Sequence, residues 1–140
     1  MKNVNIMKKL LNVVVVMLCV LMCMPIGASA ASNVLMRYDG KNICDKSSNS
    51  HFTLNKATDI KINHQTTSWY KLQGRKTNDL YVRVDVQKKG LFFFSNSGNS
   101  FKKYSVGKTT KTFTEEKGTY KLYFTTNMFS ANIKGSVTRK

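Results

Sequence analysis

Beyond residues 1–30 of this 140-residue chain, Cys44 with His51 or His64 could in principle make a thiol nucleophile and its base. A thiol becomes a nucleophile when an imidazole takes its proton. Sequence separation carries no information on distance, however, and a lone thiol more commonly serves as a small hydrophobe or a dimerising group. Glu115 and Glu116 are the other acid/base candidates. As neighbours in an extended segment they point to opposite faces, which makes them a poor pair for proton transfer. The two histidines and scattered carboxylates have no metal-ligand spacing. The glycines punctuate strand-like segments and open no helix, so no phosphate loop is present. The expectation is a protein that is not an enzyme, with no catalytic residues, cofactor or metal.

Binding chemistry has more support. The chain carries 23 Lys and Arg against seven Asp and Glu, a balance that attracts polyanions. Lys61, Lys71, Arg75, Lys76, Arg83, Lys88, Lys89, Lys102, Lys103, Lys108, Lys111, Lys117 and Lys121 recur through nearly every segment. The bland alternative is that these charges merely keep the protein soluble. Aromatic rings are the second signal, because sugars and bases stack on exposed faces while lysines and arginines hold neighbouring anions. Most rings of a small β-domain fill its core. The chosen ligand-binding set is Trp69, Tyr70, Lys71, Arg75, Lys76, Tyr81 and Arg83, which cluster about the basic Gly74-Arg75-Lys76 turn. Phe92-Phe93-Phe94 places at least one ring on an outer face, as an interface or membrane contact unless a second sheet covers it.

Residues 1–30 read as a secretory signal peptide. Lys2, Lys8 and Lys9 precede an apolar run, Pro25 and Gly27 break it, and Ala28-Ser29-Ala30 offers the small residues of a cleavage site after Ala30. The apolar run after Asn12 is about a dozen residues, shorter than the roughly 20 of a spanning helix. Met22 before Cys23 and Leu18 before Cys19 argue against a lipoprotein signal. Cleavage would leave a secreted, extracellular chain of net charge +13, 20 basic residues minus seven acidic, with Cys44 as its lone thiol and no intramolecular disulfide.

The rest of the sequence alternates. Phe52 and Leu54, Ile60 and Ile62 with His64, then Leu80, Val82, Val84 and Val86 fall at period two, with Tyr81, Arg83 and Asp85 on the opposite face. Residues 91–94, 101–106, 110–114, 119–125 and 131–138 are further strand candidates. Tyr120, Leu122 and Phe124 share one face, and Ile133 and Val137 point inward with Gly135 between them. Asp39-Gly40, Lys89-Gly90, Ser97-Gly98-Asn99, Gly107-Lys108 and Lys117-Gly118 read as turns. The expected architecture is all-β: an antiparallel two-sheet sandwich of about eight strands following the signal helix. Residues 31–57 are expected as a partly looped N-terminal segment and residues 58–140 as the sandwich.

Thr66-Thr67-Ser68-Trp69-Tyr70-Lys71-Leu72, Leu80-Tyr81-Val82-Arg83-Val84 and Lys117-Gly118-Thr119-Tyr120-Lys121-Leu122-Tyr123-Phe124 together resemble the small jelly-roll sandwiches of the bacterial pre-peptidase C-terminal type, over about residues 58–137. The resemblance implies that the sandwich is jelly-roll-like, and that it is an accessory domain that binds or assists secretion without chemistry of its own. The chain departs from that pattern in having no attached enzyme and no acidic cluster of the calcium-binding sort.

These readings converge on a secreted, non-catalytic binding module for anionic cell-envelope or extracellular polymers, a polysaccharide or teichoic acid, with no specific nucleic acid as partner. The alternative is a secreted cationic antimicrobial or toxin-like effector that acts on anionic membrane surfaces.

Overall fold

The computed structural model describes residues 33–71, 80–127 and 129–140, with the Lys71 side chain also outside the description. The expected signal segment, Arg75 and Lys76 lie outside the described residues. Nine strands and no helix occur among those described: β1 (Val34–Ile43), β2 (Asp45–Ser47), β3 (Phe52–Leu54), β4 (Thr58–Lys71), β5 (Val82–Lys89), β6 (Phe94–Lys103), β7 (Gly107–Glu115), β8 (Gly118–Thr126) and β9 (Phe129–Arg139).

All the pairings are antiparallel, and they nest. β1 pairs β9, β2 and β3 pair β8, β4 pairs β7, and β5 pairs β6. The chain is thus one long ribbon whose far end is the β5–β6 hairpin. Rolling that ribbon adds two further pairings, β4 with β9 and β5 with β8. The result is two sheets, one of order β1-β9-β4-β7 and the other β2-β8-β5-β6 with β3 also on β8. This is the strand order of a jelly roll, with one strand position divided between β2 and β3.

Alternation decides what lies between the sheets. Ile60 and Ile62 of β4, Val82, Val84 and Val86 of β5, Tyr120, Leu122 and Phe124 of β8, and Ala131, Ile133 and Val137 of β9 are all buried. Each such aliphatic or aromatic side chain contributes about 1.5–3 kcal/mol over its exposed state. Slipping any of these strands by one residue would turn its whole apolar set to water, so the same alternation also fixes register.

Local expectations differ from the structure at several places. Residues 104–106 of the strand expected at 101–106 form the connection between β6 and β7, and Gly107-Lys108, read as a turn, opens β7 by pairing with Thr66 and Gln65. Asp39-Gly40 is no turn: β1 runs through it, pairing Asp39 with Lys134 and Gly40 with Ile133, and bends at a bulge before Ile43 where Asn42 has φ 52°. Ser97-Gly98-Asn99 lies inside β6 as a bulge: Asn96 and Ser100 on either side pair with Gln87 and Asp85 of β5, and side-chain bonds hold the three residues between them. Gly98 takes φ 97°, its N–H donates to Asn96 Oδ1 (2.8 Å), and buried Glu115 accepts from Ser97 Oγ and Asn99 Nδ2, each at 2.9 Å. Leu91, Phe92 and Phe93 are hairpin loop where a strand was expected. Lys89 pairs with Phe94, which leaves four residues to reverse the chain.

Residues 34–54 supply three strands. The polar Ser48-Asn49-Ser50 stretch interrupts β2 and β3 without breaking the sheet. Ser48 N–H donates to the Leu122 carbonyl (2.7 Å), and Ser48 Oγ accepts from Leu122 N–H (3.1 Å) while donating to the Ser50 carbonyl (2.7 Å).

Candidate functional site

Two rows of side chains cross the outer face of the β1-β9-β4-β7 sheet. Register aligns Arg37, Ser136, Asn63 and Thr110 in one row, and Asp39, Lys134, Gln65 and Lys108 in the next. Buried Ile62, His64, Ile133 and Val137 alternate with them, so the rows point away from the core. Strands lie about 4.8 Å apart and alternate residues about 7 Å along the strand, so the rows cover roughly 14 by 7 Å. Together with the backbone of the row between them they line an open depression of about 700 Å³.

The chemistry of this groove is polar and cationic. Arg37, Lys108 and Lys134 are exposed, and none forms an ion pair with a described residue. Among the described residues, Asp39 is the one carboxylate lining the groove. Asn63 and Gln65 contribute amides, and Thr110 and Ser136 hydroxyls; Thr110 Oγ1 donates to Asn63 Oδ1 (3.1 Å) and orients it. Donors outnumber negative charge, and the amide and hydroxyl groups are suited to sugar or polyol hydroxyls.

The row between the two has a structural task. Tyr38 of β1, Gly135 of β9 and His64 of β4 are aligned across three strands. With no side chain on Gly135, the Tyr38 ring crosses that strand and its hydroxyl lies 3.0 Å from His64 Nδ1. His64 Nε2 is 3.1 Å from Thr66 Oγ1, and Phe101 and Phe124 close around the ring. Burial, reinforced by the charge of Lys103, lowers the His64 pKa to about 4; burial also pushes the Tyr38 phenol up. At neutral pH both groups are uncharged. With Tyr38 donating to Nδ1, the Nε2 proton goes to Thr66, and both ring nitrogens are satisfied.

The residues chosen from sequence divide between the sheets. Trp69 and Tyr70 are on β4. Trp69 packs its ring on Phe129 (centroids 4.8 Å apart) at the margin of the core, whereas Tyr70 is exposed and accepts from Asn132 Nδ2 at 3.1 Å. Lys71 ends the same strand. Arg83 is on β5 and Tyr81 immediately precedes that strand, both on the other sheet. Lys102 Nζ sits 4.3 Å from the Tyr81 ring centroid, and Tyr104 meets that ring edge-on. Arg83 Nε donates to Asp85 Oδ1 at 2.8 Å, so part of its charge is engaged within the protein. Cys44 is exposed at the β1–β2 corner, while His64 is enclosed with Tyr38 and Thr66.

Arg37, Asn63, Gln65, Thr110, Lys134 and Ser136 had no place in the sequence-derived set, although Lys108 stood among the noted cations. Their polar alternation with apolar neighbours marks an outer face, but only the β1-β9-β4-β7 order makes them adjacent. No protein-family model matches this chain, and no curated protein matches it in sequence.

Proposed function

We propose that the protein is a secreted, non-catalytic binding module that holds an anionic cell-envelope or extracellular polymer, teichoic acid or acidic polysaccharide, across the outer face of the β1-β9-β4-β7 sheet. One observation carries this reading: Arg37, Lys108 and Lys134 come from three different strands into one open groove that holds a single described carboxylate, Asp39, and none of the three forms an ion pair with a described residue. An open cleft accepts a chain that enters and leaves at its ends, and separated cations suit repeating phosphates or carboxylates. Two of the three cations are lysines, which act as compact point charges without the planar fork of arginine, so recognition tolerates variation in the polymer. Asn63, Gln65 and Ser136 supply the hydrogen bonds that distinguish a hydroxylated polymer from a simple anion. The signal segment expected at residues 1–30 would bring the domain to where such polymers are found.

Binding to purified wall teichoic acid and to an uncharged glycan, measured by calorimetry at low and high salt, tests the proposal. Each exposed cation contributes about 1 kcal/mol near an anion in water, so Arg37→Ala/Lys108→Ala/Lys134→Ala is expected to weaken teichoic acid binding roughly 100-fold. Lys102→Ala/Lys121→Ala on the other sheet is expected to have a much smaller effect. Equal binding of the uncharged glycan, affinity that ignores salt, or full affinity in the triple variant would refute it.

A further inference from the structure

At the end of the rolled ribbon, Leu91, Phe92 and Phe93 are 93%, 83% and 79% exposed. Leu91 alone would need no explanation. Three large apolar residues in succession do, because they form one patch, with the Phe92 and Phe93 ring centroids 6.1 Å apart. The backbone beneath is closed: Gly90 N–H donates to the Phe93 carbonyl at 2.7 Å, which pairs a donor and an acceptor at the base of the four-residue hairpin loop. Lysines surround that loop. Lys88 and Lys89 enter it, and Lys121 of β8 places Nζ 4.5 Å from the Phe94 ring centroid. Lys88 pairs with Glu116, and Lys117 follows in the same turn.

We infer that this apex is a membrane-interfacial anchor, in which Leu91, Phe92 and Phe93 enter the headgroup–acyl boundary of an anionic bilayer while Lys89, Lys117 and Lys121 contact its headgroups. The shape favours a bilayer. The patch is the tip of a hairpin, so it suits a soft surface that closes around a protrusion. The charges agree, since cations flanking an apolar tip match a surface that is apolar inside and negative at its border. Each lysine near such a surface adds roughly a fivefold gain in affinity. The anchor is separate from the polymer groove, because it lies at the β5–β6 turn and shares no residue with the groove lining.

Co-sedimentation of the full chain with vesicles of phosphatidylcholine and phosphatidylglycerol (3:1), free of any polymer, tests the inference. The variant Leu91→Ser/Phe92→Ser/Phe93→Ser leaves every charge in place and is expected to lower partitioning at least about 100-fold, since each buried apolar side chain contributes about a tenfold gain or more. Its thermal midpoint is expected within about 2 °C of the parent, because surface changes of this kind cost little stability. A purely electrostatic attraction predicts unchanged partitioning in that variant and would overturn the inference. Phe92→Trp supplies a second readout: its emission, after subtraction of the Trp69 signal, is expected to shift to the blue and be quenched by brominated lipid. Emission unaltered by vesicles overturns the inference. So does a parent that ignores vesicles and dimerises through the tip, shown by a fall from dimer to monomer mass in the triple-serine variant.

Discussion

Lowering the pH from 7 to 4 sets the enclosed His64 imidazole of the folded protein against the free imidazole of the unfolded chain, and the gap between their titrations sets the size of the response. In the unfolded chain the imidazole titrates at its ordinary 6.5, and in the folded protein at about 4. The unfolded chain therefore takes up the proton first. The stabilising contribution is whole above pH 6.5 and is lost as the pH falls towards 4. At about 1.4 kcal/mol per pH unit it amounts to about 3 kcal/mol, a large share of the 5–15 kcal/mol that holds a typical domain together. Among the described residues, nothing facing the ring offsets the cost. Tyr38 from β1, Thr66 from β4, and Phe101 and Phe124 from β6 and β8 are neutral, and Lys103 of β6 repels a second positive charge.

Urea unfolding of the parent and of His64→Gln, followed by circular dichroism at half-unit steps of pH, isolates the effect. Glutamine keeps an acceptor for Tyr38 and a donor for Thr66 but does not titrate. Carboxylates common to both proteins cancel in the difference. The parent is expected to lose about 3 kcal/mol more than the variant between pH 7 and pH 4, with most of the divergence below pH 6.5. Parallel stability curves would show that His64 is hydrated or free to turn outward, and would refute the enclosed, neutral imidazole.

Two further substitutions probe the same construction. Gly135→Ala would set a methyl group against the Tyr38 hydroxyl and the Asn63 carbonyl, and is expected to cost about 2–4 kcal/mol in urea unfolding; a loss under about 1 kcal/mol would contradict the crossing of Tyr38 over β9. Leu122→Ala, at a fully buried position of β8, is expected to cost about 2–5 kcal/mol by the same measurement, and a neutral result would mean that the core closes over the gap.

The sheets were legible wherever one face meets the core. Val82, Val84 and Val86, or Tyr120, Leu122 and Phe124, repeat at period two because every second side chain is withdrawn from water, and that pattern survives in sequence. It fails where the pairing partner alone makes the strand. Residues 95–100 are Ser-Asn-Ser-Gly-Asn-Ser, and no local preference selects β6 over a loop. Pairing of Ser95, Asn96 and Ser100 with β5, and the demand of Glu115 for donors from the bulge between them, select it. The opposite error arises at Leu91, Phe92 and Phe93, which have strong strand preference but lie where the chain must reverse. Hydrophobicity there is unrelated to folding, and an apolar run that the core does not use is what first distinguishes the apex.

The groove was illegible for a different reason. Arg37, Asn63, Lys108 and Lys134 are far apart in the chain, and their adjacency follows from the ribbon rolling so that β9 and β4 become neighbours inside one sheet. A linear reading finds density of charge and so favours the clustered Gly74-Arg75-Lys76 turn. Folding sorts charge by face instead. On the other sheet Arg83 faces Asp85, and Tyr123 hydrogen-bonds Asp45, so carboxylates there engage part of the polar surface. Across the groove the cations have no such counterweight except Asp39. The same Tyr38–Gly135–His64 row that stiffens the core also forms the floor between the two rows of donors. Charging His64 in the folded protein, which happens only near pH 4, would loosen the floor as well as the fold, so the polymer affinity proposed for the groove should hold through pH 6 to 5, where the parent and His64→Gln stabilities already part, and fall near pH 4.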